Sequence, residues 1–156
     1  MADFVKGGSN LGTPFGVNEY LRSTKDVKKE SYTVAASTVP TVTVTDNGQT
    51  SQQKILDRGV VMAKITSGGE AGKIGPYSID TVGVTDGRSN TANIVGLNDT
   101  FLPWQLLDRD VEIAVTYECT AVQAWCKEYK ADGTTQAISN TTATAMLSKG
   151  VNIHFH

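Results

Sequence analysis

Several stretches of this chain carry side chains that could do chemistry, and each can be judged by the spacing its chemistry demands. Ser67 to Ile74 (SGGEAGKI) joins glycines to a lysine after a strand-like run, the raw material of a phosphate loop. Such a loop needs glycine where Ser67 stands and a magnesium-binding hydroxyl where Ile74 stands, so the stretch reads as an inter-strand loop. Gly7 to Gly12 (GGSNLG) has no strand before it and is no dinucleotide fingerprint. His154 and His156 share one face of a terminal strand and, with Cys119 and Cys126, would make four zinc ligands. Their spacing fits no common zinc module, and a polar strand face accounts for the histidines, so no metal or other cofactor is expected. Lying at the C-terminus, they would also place any Ser-His-Asp or Cys-His arrangement on a segment prone to fray.

Asp108, Arg109 and Asp110 would make an acid pair with a guanidinium clamp, or a solvated turn before a strand; the turn is the favoured reading. Trp104 and Trp125 would stack on sugars or bases, yet a Trp beside Phe101, Leu102 and Pro103 is equally suited to core or to subunit contact. No reading here amounts to an active site, and catalysis is not expected.

The elements that would position these residues are strands. The chain has 156 residues, the size of one domain, and only 19% are charged, with 14 basic against 16 acidic and a net charge of −2. That balance supplies no field for nucleic acid or an anionic membrane. A wealth of Thr and Val favours pleated surface over helix. With no apolar leader segment and no span-length apolar window, the expectation is a protein made and kept in the cytosol or in an assembly built there, with reduced thiols.

Leu97 to Glu118 is the organising stretch. Val111, Ile113, Val115 and Tyr117 alternate with Glu112, Ala114, Thr116 and Glu118, the signature of a strand with one buried face. Before it, Phe101, Leu102, Trp104, Leu106 and Leu107 crowd around Pro103; Phe101, Pro103 and Trp104 are the candidates for contact between subunits or with a larger shell. Upstream, residues 1–30 read as a flexible N-terminal arm and 31–156 as the β-rich domain. Within the arm, Leu11, Phe15, Val17, Tyr20 and Leu21 form a sparse apolar set suited to docking on a partner or to packing back on the domain. Tyr32 to Thr45 is strand-like with a break at Pro40, and Asp46-Asn47-Gly48 predicts a hairpin turn. Lys54 to Thr66 reads as one strand, followed by a loop at 67–72 and a further segment at 73–77. Cys119 to Tyr129 fits strand or short helix. Asn140 is placed to cap a helix over 141–149, with Gly150 beyond it and an alternating strand, Val151 to His156, to close the chain. Ile55 to Val60 echoes Leu106 to Val111, which two similar turns into strands explain.

Several phrases occur in an order that resembles the head decoration proteins of tailed bacteriophages, the lambda type. They are Asp57 to Thr66 (DRGVVMAKIT), Gly72 to Tyr77 (GKIGPY), Thr85 to Arg88 (TDGR), the alternating run at 110–115, and Thr144 to Ile153 (TAMLSKGVNI). The similarity covers residues 54–155. It implies a compact β-clip or β-barrel-like domain, mainly β with a short C-terminal helix. It also implies a homotrimer that sits at three-fold sites of the capsid exterior, binds the major capsid protein and cements the shell without catalysis. The family's N-terminal arm, which orders on the shell, maps onto Ala2 to Tyr32; residues 31–50 stand as arm, extra strand or capsid-specific addition. Rival readings are another phage structural protein, such as a minor capsid or tail component, a trimeric β-clip nucleotide hydrolase, and a carbohydrate-binding module using Trp104 or Trp125. The hydrolase would carry a Ser-rich phosphate loop, and this chain has only Gly87 to Asn90 (GRSN) in that role.

Overall fold

β7, Val111–Ala121, is the strand against which the sheet is assembled in the computed structural model, which describes residues 19–156. One edge of β7 carries β1 (Leu21–Val34) antiparallel, from Leu21 opposite Ala121 to Val34 opposite Val111. The other edge carries β6 (Ile94–Asn98) antiparallel and then β10 (Asn152–Phe155) parallel. β4 (Val61–Lys64) joins β6 to β5 (Ile74–Pro76), and β5 returns to β1 through Val34 opposite Ile74. The six-stranded mixed sheet thus nearly closes into a ring, a form that leaves little unpaired edge. Two hairpins stand apart from it, β2–β3 (Thr41–Asp46, Gln49–Lys54) and β8–β9 (Lys127–Tyr129, Thr135–Ala137). Among the described residues there is one short α-helix, the C-terminal α1 (Asn140–Ser148), and the architecture is mainly β, in agreement with the expectation from composition and patterning.

β4 is buried on both faces. Val61 and Ala63 join a cluster with Leu97, Met146 and Ile153, while Val60 and Met62 join another with Val34, Leu102 and Ile113. This explains why its sequence is a continuous apolar run and not an alternation. Along β7, Ile113 and Val115 feed the second cluster and Cys119 and Ala121 the first, while Val111 and Tyr117 are only half-buried.

Where local features decide, expectation and structure coincide. The β2–β3 turn has Asn47 at φ 48° and Gly48 at φ 78°, the left-handed pair a two-residue hairpin demands. At the end of the chain, helix, Gly150 and β10 follow in order, although the cap is Ser139, whose Oγ accepts from the Thr142 amide, and not Asn140. The Lys54–Thr66 strand is divided by a turn: Asn98 Nδ2 donates to the Asp57 carbonyl at 2.8 Å and the Gly59 amide donates to the Asn98 carbonyl at 2.8 Å. Cys119–Tyr129 resolves into the end of β7, a 3-10 turn at Gln123–Trp125 and β8, because Cys119, Ala121 and Cys126 are all drawn into the core.

The arm boundary also moves. Residues 21–30 belong to β1, and Tyr20 is fully buried, so the domain does not begin after Glu30 but includes the chain from Tyr20 on. Their charges are accommodated because this part of β1 faces outward: Lys28 meets Glu118 at 3.0 Å and Lys29 meets Asp99 at 2.6 Å. Mid-strand, Ser23 pairs with Thr120 and Lys28 with Glu118, so Thr24 to Val27 bulge opposite Cys119, with Asp26 at φ 59°.

Candidate functional site

The residues with chemical promise do not converge. Lys73, the lysine of the would-be phosphate loop, is held between Glu70 and Asp110, and those hydrogen bonds push its amine up from the ordinary lysine value. Asp110 also accepts from the Ala36 amide at 3.0 Å, whereas Asp108 and Arg109 pair with each other in solvent. The trio is therefore a turn before β7 that fastens the segment after β1. His154 and His156 are exposed on β10, while Cys119 and Cys126 are buried. Among the described residues no group of three or more His, Cys, Asp and Glu side chains is placed to hold a metal ion. Burial pushes the thiols up, Cys119 to about 11 and Cys126 to about 12, so little reactive thiolate forms near neutral pH. Neither should be alkylated by iodoacetamide in the native protein, and both should react once urea unfolds it; native labelling read by mass spectrometry would contradict this.

One well-connected polar group is not signalled by sequence spacing. Asp99, at the end of β6, accepts from the Tyr20 hydroxyl at 2.7 Å, from Lys29 Nζ at 2.6 Å and from Arg58 Nη2 at 3.2 Å. The Tyr20 hydroxyl also meets Thr116 Oγ1 of β7 at 2.9 Å, and Arg58 lies 5.6 Å from the centre of the Tyr20 ring. These partners are 41 to 96 residues apart, and no local motif signals them. The network pins the point at which the chain enters the sheet.

Burial alone would raise the Asp99 carboxyl, but hydrogen bonds from Lys29, Tyr20 and Arg58 outweigh it and hold it below its ordinary 3.8. Lys73, and then the Ala36 amide, hold Asp110 low likewise. A carboxyl more acidic folded than unfolded contributes stability that is whole above 3.8 and is lost as pH falls through the folded value. Urea midpoints should therefore decline below about pH 4, and Asp99→Asn should remove part of that slope. An unchanged slope in the variant would show that other groups carry it.

The surface residues divide between two ends. Leu21 and Ala121 mark one end of the β1–β7 pair, Val34 and Val111 the other, about 33 Å away at about 3.3 Å per residue. At the first end the Val122 amide donates to the Tyr20 carbonyl at 2.9 Å, and Leu147, Phe155 and His156 line a groove with Gln123. Trp125 and Leu147 are exposed there. At the second end Phe101 and Pro103 are half-buried and Trp104 is 49% exposed, facing the β2–β3 hairpin across a groove of about 490 Å³. Of the expected arm contacts, Tyr20 is core and Leu21 packs against it, while Leu11, Phe15 and Val17 lie outside the described residues. No helix among the described residues is long and apolar enough to cross a membrane.

No protein-family profile, no curated protein and no solved structure matches the chain.

Proposed function

We propose that this chain is a phage head decoration protein of the lambda type, a homotrimer that binds the major capsid protein on the capsid exterior and cements the shell. The observation that carries the reading is the position of the chain entry. Residues 1–18, with Leu11, Phe15 and Val17, are linked in sequence through Glu19 to Tyr20, which lies at the end of the sheet that also exposes Trp125 and Leu147. An extendable segment next to an apolar surface is what attachment to a shell requires, and three copies per trimer would raise modest affinities through effective concentration. Of the phrases that carry the family resemblance, those at 57–66, 72–77, 110–115 and 144–153 include β4, β5, the start of β7 and β10 of one sheet, while Thr85 to Arg88 lies in a loop. In this reading the Tyr20 end faces the shell and the hairpin end faces outward.

The geometry also dictates how the arm is tested. Removing residues 2–32 would take Tyr20 and most of β1 and should leave no folded domain. Removing residues 2–18 spares both. The shorter deletion is expected to keep the oligomeric state and thermal midpoint while losing at least about tenfold in binding to expanded heads built from the source's major capsid protein. Sedimentation of heads with bound protein, beside analytical ultracentrifugation of the free protein, reads both quantities. Loading equal to that of the full chain, or a monomer at micromolar concentration, would overturn the proposal.

A further inference from the structure

The groove between Trp104 and the β2–β3 hairpin has the composition of a sugar site. One wall is Trp104, its indole half-exposed on a turn fastened by the Leu106 amide to the Pro103 carbonyl at 3.0 Å and the Leu107 amide to the Trp104 carbonyl at 3.2 Å. The side chain is thus presented by a fixed turn, with its root held by buried Leu102 and Leu107. The facing wall is one face of the β2–β3 hairpin: Gln49, Ser51 and Gln53 alternate along β3, opposite Asp46, Val44 and Val42 of β2.

The two faces of that hairpin use their polar groups differently. On the other face they satisfy one another across the strands, Gln52 Nε2 to Thr43 Oγ1 at 2.7 Å and Thr45 with Thr50 at 3.4 Å. On the groove face the side chains of Asp46 and Gln49 have no hydrogen-bond partner among the described residues. Gln53 donates to Ser51 Oγ at 3.1 Å, yet its Oε1 is shut off from solvent and accepts nothing from the described residues. Asp46 and Gln49 therefore present polar groups to the groove that only water or a ligand can engage, and a hydroxyl suits both.

We infer that this groove binds a neutral oligosaccharide. A pyranose presents an apolar face of C–H groups to stack on the indole and a rim of hydroxyls for amides, Ser51 and the Asp46 carboxylate. Charge selects the class: among the described residues no Lys, Arg or His lines the groove and Asp46 is the one ionisable side chain, so sulfated, phosphorylated and carboxylated sugars are disfavoured. The volume of about 490 Å³ lies inside the range of about 300–1,000 Å³ usual for small-ligand sites. The inference stands apart from the decoration reading, since it needs only a folded domain.

The test uses the full chain with Trp125→Phe, which leaves Trp104 as the one fluorophore of its kind. Cello-, chito-, malto- and mannotetraose are titrated at millimolar concentrations, with a heparin tetrasaccharide as the acidic control. At least one neutral sugar should change the Trp104 emission saturably, and Trp104→Ala should lose binding at least about tenfold by calorimetry while the thermal midpoint stays in place. Gln49→Ala should weaken binding of the same sugar. Silence of all four neutral sugars, preference for the heparin fragment, or unchanged binding by Trp104→Ala would overturn the proposal. So would loss of the trimer or of shell loading in Trp104→Ala when the parent binds no sugar, which would assign the groove to a protein contact.

Discussion

Gly96→Ala is expected to destabilise the protein by about 3 kcal/mol or more, a large share of the about 5–15 kcal/mol that holds a domain together. Gly96 lies in β6 where the ladder to β4 slips, Met62 pairing with Gly96 and Ala63 with Ile94. The slip leaves Gly96 at φ 150°, a backbone region that residues with a Cβ seldom adopt. It also brings β7 close: a Cβ there would sit 2.2 Å from the Thr116 carbonyl oxygen and 3.0 Å from Val115 Cγ1. Because the obstacle is the backbone of the central strand, no rotamer change relieves it, and β6 or β7 must shift. Gly69→Ala is the control, since a methyl there meets nothing within 4 Å and the backbone is not left-handed. It should stay within about 0.5 kcal/mol of the parent. Equal urea midpoints for the two variants would show that the sheet yields at Gly96 and that the close approach is not a constraint.

Glu128→Ala is the second large effect, expected at about 3–4 kcal/mol. Glu128, in β8, is fully buried, and its carboxylate is the meeting point of three elements. Oε1 accepts from Gln136 Nε2 of β9 at 2.9 Å and from the Ser139 amide at 3.1 Å, and Oε2 accepts from Thr142 Oγ1 at 2.6 Å. Ser139 and Thr142 form the first turn of α1, where the helix dipole favours a negative charge. Alanine would leave a void and three stranded donors, and the penalty for a buried donor without a partner exceeds the net worth of the bond it lost. Glu128→Gln fills the same space but turns a donor toward donors, so it should fall between the parent and alanine, at about 1–2 kcal/mol. Hydrogen exchange in α1 separates this from general loosening: protection of the Thr142 and Ala143 amides should drop first. Glu128→Ala with the parent's midpoint and intact α1 protection would remove the carboxylate from the account of how the helix is docked.

These residues also show where reading the chain succeeds. Asn47-Gly48 announces its hairpin because a left-handed pair is a property of two residues, and the helix, Gly150 and β10 announce themselves because capping acts within one turn. The alternation in β7 identifies the strand but not its partners, and β4 hides its double burial in a short apolar run. Nothing in the Lys-Glu-Tyr segment singles out Glu128, and only the packing of β9 and α1 over it makes it a buried hub. Trp104 is recognisable as a candidate for core or for contact, but the facing wall of its groove lies about 50 residues earlier in β3. Nothing near Trp104 in sequence says whether it meets core, partner or ligand.

Class, turns, the terminal helix and the pattern of β7 follow from the order of residues alone, because each depends on backbone preferences and side-chain alternation acting within about ten positions. Ring closure, the entry of the chain at Tyr20, and the partners of Asp99 and Glu128 depend on strands brought together from as many as 96 residues apart. No local rule selects those pairings. They are set by which apolar faces can be buried at once, and a polar side chain becomes anchor, surface or binding wall only after that burial is complete.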